Sequence, residues 1–360
     1  MRELPDGTST PVVDASVHVF FASNADMRSF LREPYRSRGI PDAEMDWYGA
    51  PGGEYAKGTR GPEKQYPGSD PGLVAAQLFD ERGVDVAVLH PMTRGVLPDR
   101  HLTTAVLAAH NEMLVTRWLD GAHADRFRGT IRVNPDDVPG ALREIERWGT
   151  HPRVVQLGIP LQSMALYGKP QYWPIWEAAA AAGLPVAAHI ETGESIAFPP
   201  TPSGHTRGYE QYLGFMTLNY VYHLMNMIAE GVFERFDALK FVWADGGADM
   251  LTPFSWRMDT FGRPHLEQTP WAPKMPSDYL PGHVYFVQGS LDGPGDTEFA
   301  SEWLGFTGKE DMLMFGSSYP HWHAGDALAL PAGLSAEQRA KLLWRNAAEL
   351  YGIDIMAPAG

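Results

Sequence analysis

The chain has 360 residues, 44% of them hydrophobic and 20% charged, with a net charge of −15 and no cysteine. That length supports one large core, and the acidic balance argues against nucleic acid or an anionic membrane as partner. The absence of cysteine excludes disulfides, thiolate nucleophiles and cysteine-based metal sites. Residues 1–7 lack the apolar segment of a secretory leader, and no apolar stretch is long enough to span a bilayer, so a cytoplasmic location is expected.

Short apolar runs alternate with helical patterns. The first run, Val12-Val13-Asp14-Ala15-Ser16-Val17-His18, predicts a strand over 11–18 that closes on a histidine. Residues 20–71 break the rhythm, being rich in Gly, Pro, Tyr and charge. Loops of that length are uncommon unless functional, so this insertion is expected to be a lid or an oligomer contact. Trp47, Tyr48 and Tyr55 within it are candidates for covering a flat substrate. A helix over 72–82 stops at Gly83, and a strand over 84–90 ends at His90. Next come a helix over 100–121, a strand over 128–133, a helix over 137–148 and a strand over 154–159. The alanine-rich helix over 172–182 stops at Gly183. The run Leu184-Pro185-Val186-Ala187-Ala188-His189 then predicts a strand over 185–190 ending in another histidine. A helix over 208–235 leads to a strand over 239–245, a helix over 248–258 and a strand over 284–289. After a helix over 295–305, the last strand, 312–317, runs into Ser317-Ser318-Tyr319-Pro320-His321. Ser335, with Gln338 three residues on, caps a final helix over 335–350. Trp173, Trp176, Trp243 and Trp256 are expected to pack between helices and sheet.

Eight strand–helix alternations predict a single (β/α)8 barrel over residues 1–360 rather than a doubly wound sheet. In such a barrel, polar groups at strand C-termini carry the chemistry. His18, His90, His189, Asp245 and His321 stand at or just past strand ends, and Gln156 and Gln288 lie within strands.

These strand ends carry further markers: Asp14-Ala15-Ser16-Val17-His18, His189-Ile190-Glu191-Thr192-Gly193, Gly231-Val232-Phe233-Glu234-Arg235-Phe236 leading to Asp245-Gly246-Gly247, Gly316 to Trp322, and Asn346 to Tyr351. In this order they resemble the amidohydrolase-related family, in its decarboxylase and lactonase-like branch. The resemblance implies a distorted (β/α)8 TIM-type barrel. It also implies a single divalent metal, held by an acid or histidine and a histidine on strand 1, a histidine on strand 5 and an aspartate on strand 8. Position by position, His18 and His189 match. Ser16 and Ser318 stand where the two acids belong, and Asp245 stands where a catalytic histidine is common.

Two neutral imidazoles and two hydroxyls form a poor set for a divalent cation. The expectation is therefore no cofactor, the alternative being one zinc or manganese ion on His18 and His189. Without a metal, His189 and Asp245 are the expected proton carriers, with His18 and His321 beside them. Ser16, Ser318, His90, Gln156, His205, Arg207 and Trp322 are the expected substrate-binding residues, Arg207 as a carboxylate clamp. No Gly-x-Ser-x-Gly elbow supports a serine nucleophile. Asp14, by alternation, shares the face of Ser16 and His18 one layer deeper. The leading reading is hydrolysis of an activated lactone, ester or amide, or a related lyase or isomerase step on a cyclic or aromatic carbonyl compound. The alternatives are a metal-dependent decarboxylase or hydrolase of small aromatic or unsaturated acids, and a catalytically retired barrel that binds a partner. The expected partner is a small molecule, with no nucleic acid and no membrane, and the helical exterior and early insertion are compatible with a homodimer.

Overall fold

Parallel strands buried on both faces read as nearly unbroken apolar runs, and all eight such runs form strands. The computed structural model describes residues 2–4, 7, 9–38, 55–92, 99–190, 209–244, 246–262, 267–289, 298–321, 330–331 and 333–355. The barrel strands are β1 Val13–Val19, β2 Val86–Pro91, β3 Phe127–Arg132, β4 Val154–Pro160, β5 Val186–His189, β6 Phe241–Ala244, β7 Val284–Gln288 and β8 Leu313–Phe315. Each pairs in parallel with its sequence neighbour, in the order β8-β7-β6-β5-β4-β3-β2-β1. Helices lie between them, so the architecture is a nearly closed (β/α)8 barrel.

Closure between β8 and β1 is made by the segment that follows β8. Val17 bridges Tyr319 in parallel, the Ser318 N–H donates to the Ser16 carbonyl at 3.0 Å, and the His18 N–H donates to the Tyr319 carbonyl at 2.7 Å. Gly316 is what lets the strands approach there. A Cβ at that position would lie 2.2 Å from Val287 Cγ1 and 2.8 Å from Ser16 Cβ.

The inner layer contains Val13, Ala15, Val86, Val88, Val155, Ala187, Val242, Val287 and Met314, packed against Leu350, Tyr351 and Ile353 from the C-terminal segment. That segment stoppers the end opposite the strand C-termini and leaves the other end for chemistry. Outward-facing Val17, Leu89, Ile131, Leu157, Ala188 and Phe286 pack with Leu78, Trp118, Ile145 and Trp176 of the surrounding helices.

The predicted helix boundaries follow the local signals. Gly83 and Gly183 both adopt positive φ just past helix ends, where a left-handed residue costs glycine least. Ser335 and Gln338 form both halves of the capping box. The helix predicted over 208–235 is instead two, Tyr209–Ala229 and Val232–Arg235, because Gly231 turns left-handed at φ 72° and breaks the ladder. Trp176 and Trp243 are buried, whereas Trp256 is 52% exposed rather than packed beneath a helix. No helix among the described residues is long and apolar enough to cross a membrane.

The described parts of the 20–71 insertion are built rather than structureless. They include the helix Asn24–Phe30, capped by Ser23, and a return segment tied to the barrel through the Tyr66 N–H to the Ala22 carbonyl and the Phe20 N–H to the Gly68 carbonyl, each 3.1 Å. Trp47 and Tyr48 lie outside the described residues.

Candidate active site at the barrel mouth

Parallel register sets the site. His18 and His90 are partners across β1 and β2, and His189 ends β5 across the mouth. All three are buried. His90 stacks on His189 with ring centroids 4.3 Å apart, and His18 meets His189 edge-on at 4.8 Å. His18 Nε2 and His189 Nε2 are 2.9 Å apart, and Ser16 Oγ lies 3.3 Å from the same His18 nitrogen. His189 Nδ1 is 2.5 Å from the Ile190 carbonyl, which only accepts, so that nitrogen carries the proton and Nε2 presents its lone pair. His18 then donates from Nε2 to His189. One proton joins the two rings.

His321 completes the cluster, 4.9 Å from His18. Tyr55, from the insertion, stacks on His321 at 5.3 Å and bridges it antiparallel, while the Ala56 N–H donates to the Pro320 carbonyl at 2.9 Å. The insertion therefore reaches the mouth at its β1–β8 side.

A cation that sequence reasoning missed sits in this layer. Arg132, the last residue of β3, is fully buried, and its Nη1 meets His90 Nε2. His90 accepts there, which places its own proton on Nδ1. Burial first, then the charges of Arg132, His189 and His18, push the His90 pKa well below 6.5, so the ring is neutral. Arg132 is held from behind by Asn111, which accepts from its N–H at 2.6 Å and donates to its carbonyl at 2.8 Å. Asn111 also donates to Glu144 at 2.8 Å. Gly158, the register partner of Arg132 on β4, leaves room for the side chain, since a Cβ there would lie 2.9 Å from Arg132 Cδ. The available signal was a charged residue interrupting the apolar run Thr130-Ile131-Arg132-Val133.

The two serines differ in setting. Ser16 points at His18, whereas Ser318 occupies the left-handed region at φ 56°, a conformation that costs a side-chain-bearing residue about 1–2 kcal/mol. Its neighbour Ser317 is fixed by donating from its N–H to Asp14 Oδ1 at 2.8 Å. Asp14 does not share the face of Ser16 and His18. The register shifts between Asp14 and Val17, and Val13 and Ala15 on either side belong to the inner layer. The carboxylate instead ties β1 to the segment after β8, accepting also from the Ser16 N–H at 3.2 Å. Burial, more than any charge, raises its pKa to about 6.

Gln156 is not brought to the mouth. Its register partner is Thr130, two residues below Arg132, and its amide donates to Thr130 Oγ1 at 2.6 Å and accepts from the Tyr351 hydroxyl at 2.8 Å. Asp245, His205, Arg207 and Trp322 lie outside the described residues. His110 and His223, buried away from the mouth, are pushed to about 4 by burial and remain neutral.

The resemblance implies a divalent metal, and the donor set tests it. His18 and His189 converge through Nε2, and the Ile190 carbonyl orients His189 as a ligating imidazole would require. His90 cannot join them, since its Nε2 faces Arg132. Ser16 and Ser318 bring no charge, and among the described residues no three His, Asp or Glu side chains form a metal-holding group. The described residues supply two ligands and do not make a complete site.

Comparison with known proteins fits this architecture. No curated protein matches the chain. A 5-carboxyvanillate decarboxylase from Sphingomonas paucimobilis superposes with a TM-score of 0.65 at 22% identity, over 96% of this chain and 100% of that one. A dihydroxybenzoic acid decarboxylase from Polaromonas sp. JS666, with bound manganese and 2-nitroresorcinol, gives 0.65 at 19% identity, over 96% and 98%. An amidohydrolase from Mycobacterium avium subsp. paratuberculosis gives 0.72 at 18% identity, over 96% and 100%. At these identities the likeness establishes the fold. The family model described as Amidohydrolase matches residues 13–353, nearly the whole barrel, and the chain belongs to that family.

Proposed function

We propose that this chain is a decarboxylase-type lyase acting on a small aromatic or unsaturated carboxylic acid at the barrel mouth. The observation that carries the reading is the buried His18–His189 contact at 2.9 Å, a proton-sharing pair at the C-terminal ends of two strands. The decarboxylases among the similar folds support this reading over the hydrolysis that the sequence alone favours. A barrel retired from catalysis has no need of a buried imidazole pair with an oriented tautomer, which ranks that alternative last.

The pair, once it has gained a second proton, delivers it to the carbon that bears the carboxylate. The C–C bond then breaks, its electron pair stays with the carbon skeleton, and CO2 leaves. One proton enters for each CO2 released. Asp245, the next residue in sequence after Ala244, is the second proton carrier in this proposal, and His321 with Tyr55 covers the substrate. A general acid placed this way contributes about 10^2–10^4-fold to the rate.

A second reading keeps a zinc or manganese ion on His18 and His189. The converging Nε2 atoms favour it, as does the manganese in several decarboxylase structures of the same fold. Those structures support this alternative rather than the expectation of no cofactor. Such an ion would polarise a bound carboxylate or carbonyl.

The test is CO2 release from a panel of aromatic and unsaturated acids, run beside elemental mass spectrometry of untagged protein. His18→Ala and His189→Ala are each expected to lower turnover by about 10^2-fold or more. Near wild-type turnover in both variants, or lactone hydrolysis without CO2 release, would sink the proposal. Near-stoichiometric zinc or manganese selects the second reading.

A further inference from the structure

The run Gly231-Val232-Phe233-Glu234-Arg235-Phe236 has no part in the chemistry of the mouth, since it leads into the opposite, N-terminal end of β6. It forms one wall of a cleft of about 450 Å³ lined by Trp173, Glu230, Gly231, Glu234, Arg235 and Trp271. That volume lies in the range of small-molecule sites. Three segments build the cleft. Trp173 opens the helix Trp173–Ala181, Glu230 to Arg235 cover the turn after the helix Tyr209–Ala229 and the short helix Val232–Arg235, and Trp271 belongs to the connection before β7. Both indoles are fixed by their N–H groups, Trp173 donating to the Gly168 carbonyl at 3.0 Å and Trp271 to the Ala229 carbonyl at 2.8 Å. Gly231 makes room for the second of them. A Cβ there would lie 2.7 Å from the Trp271 carbonyl oxygen and 2.9 Å from its Cδ1. Trp271 is nevertheless 53% exposed, and an indole held in place but open to solvent offers a stacking face to a flat ring.

The charges lining the cleft are not all matched. Glu230 pairs with Lys169 at 2.5 Å, and Glu234 pairs with Lys274 at 3.3 Å and accepts from the Tyr279 hydroxyl at 3.0 Å. The Arg235 guanidinium makes no ion pair or hydrogen bond among the described residues. It lies over the Trp173 ring, 4.7 Å from the centroid. Stacking occupies the face of a guanidinium and leaves its in-plane N–H fork open, the geometry that receives a carboxylate. We infer that this cleft is a second small-molecule site, taking a flat aromatic monocarboxylate that lies against Trp271 with its carboxylate on Arg235. A cationic ligand has no place there, because both glutamates already hold lysines. One unmatched cation suits one negative charge, and the glutamates beside it oppose a dianion such as a phosphate ester. The cleft stands apart from the mouth and does not depend on the reaction proposed there.

The experiment is fluorine NMR of the full chain labelled with 5-fluorotryptophan, with the Trp271 signal assigned by its loss in Trp271→Phe. Titration with 2-naphthoate should shift that signal with a Kd of about 1 mM, the level a ligand of this size reaches. The uncharged 2-naphthol should bind about fivefold more weakly, the upper end for an ion pair open to solvent. Arg235→Gln should bring the naphthoate affinity down to that of naphthol, and Arg235→Lys, which keeps the charge without the fork, should restore part of the difference. Both changes are at an exposed residue and leave the core intact. His189→Ala should leave the shift as it is. No movement of the Trp271 signal at 10-fold the expected Kd, about 10 mM, would overturn the inference. Equal affinity for naphthoate and naphthol would do so too, as would a preference that survives Arg235→Gln. Tighter binding of 2-naphthyl phosphate than of naphthoate would refute the assignment to a monocarboxylate. A shift lost in His189→Ala would trace the signal to the mouth and remove the second site. Failure of the decarboxylation assay with the Trp271 shift intact would remove the proposed reaction and leave this site standing.

Discussion

Asp14→Asn isolates the one buried carboxylate that joins the first strand to the segment closing the barrel. Asp14 is fully buried, accepts from the N–H groups of Ser16 and Ser317, and has a second oxygen, Oδ2, that makes no hydrogen bond among the described residues. Burial raises its pKa from the ordinary 3.8 to about 6. The folded state therefore keeps a proton that the unfolded chain releases between these values, and stability falls as pH rises through that window. Two units amount to about 3 kcal/mol of differential stability. With an unfolding entropy of about 2.1 cal/mol/K per residue, that is a shift of about 4 °C in Tm. The Asp14→Asn variant keeps the oxygen acceptor but cannot ionise, so its amide group imposes a cost of about 1–3 kcal/mol that does not vary with pH. Thermal melts of both proteins at about pH 4.5 and about pH 7.5 sample about 2 kcal/mol of that difference, so the variant should gain about 2–3 °C on the wild type at the higher pH. A difference between the two proteins that is the same at both pH values would refute the raised pKa and the buried-charge argument with it.

Asn111→Leu removes the clamp behind Arg132, leaving its N–H and carbonyl and the Glu144 carboxylate without their partner. The expected loss is about 3–6 kcal/mol, read as a lower urea midpoint. Gly316→Ala forces a methyl group to within 2.2 Å of Val287 Cγ1 and 2.8 Å of Ser16 Cβ. It should cost about 1–3 kcal/mol by overpacking, and turnover should fall further because β1 carries His18 on the displaced strand. Full activity with wild-type stability in Gly316→Ala would show that the barrel closes differently at β8.

What was legible in the sequence divides along a physical line. The strands were, because a parallel strand buried on both faces declares itself within its own few residues. Val186-Ala187-Ala188-His189 needs no knowledge of its neighbours to be read as a strand with a polar end. His18, His90 and His189 were legible as mouth residues for the same reason. Properties that depend on register were not. Alternation put Asp14 on the face of His18, but an irregularity between Asp14 and Val17 turns it toward Ser317, and nothing within β1 announces the shift. Gln156 sits inside a strand much as His90 ends one, yet its partner is Thr130 rather than Arg132, and that places it a layer too deep.

Arg132 is the instructive case. As a string, Arg132 is a charge inside the predicted strand over 128–133, and nothing in its immediate neighbours says which way it faces. What lets it be buried is a missing side chain on the next strand, Gly158, and an amide on the preceding helix, Asn111, that holds its backbone, neither of which is near it in sequence. Strand ends advertise imidazoles because the apolar run stops at them, whereas a cation supported from neighbouring elements is visible only once those elements are packed. The histidines at the strand ends were legible one by one, whereas the guanidinium against His90 and the 2.9 Å contact between His18 and His189 exist only once the strands are in register.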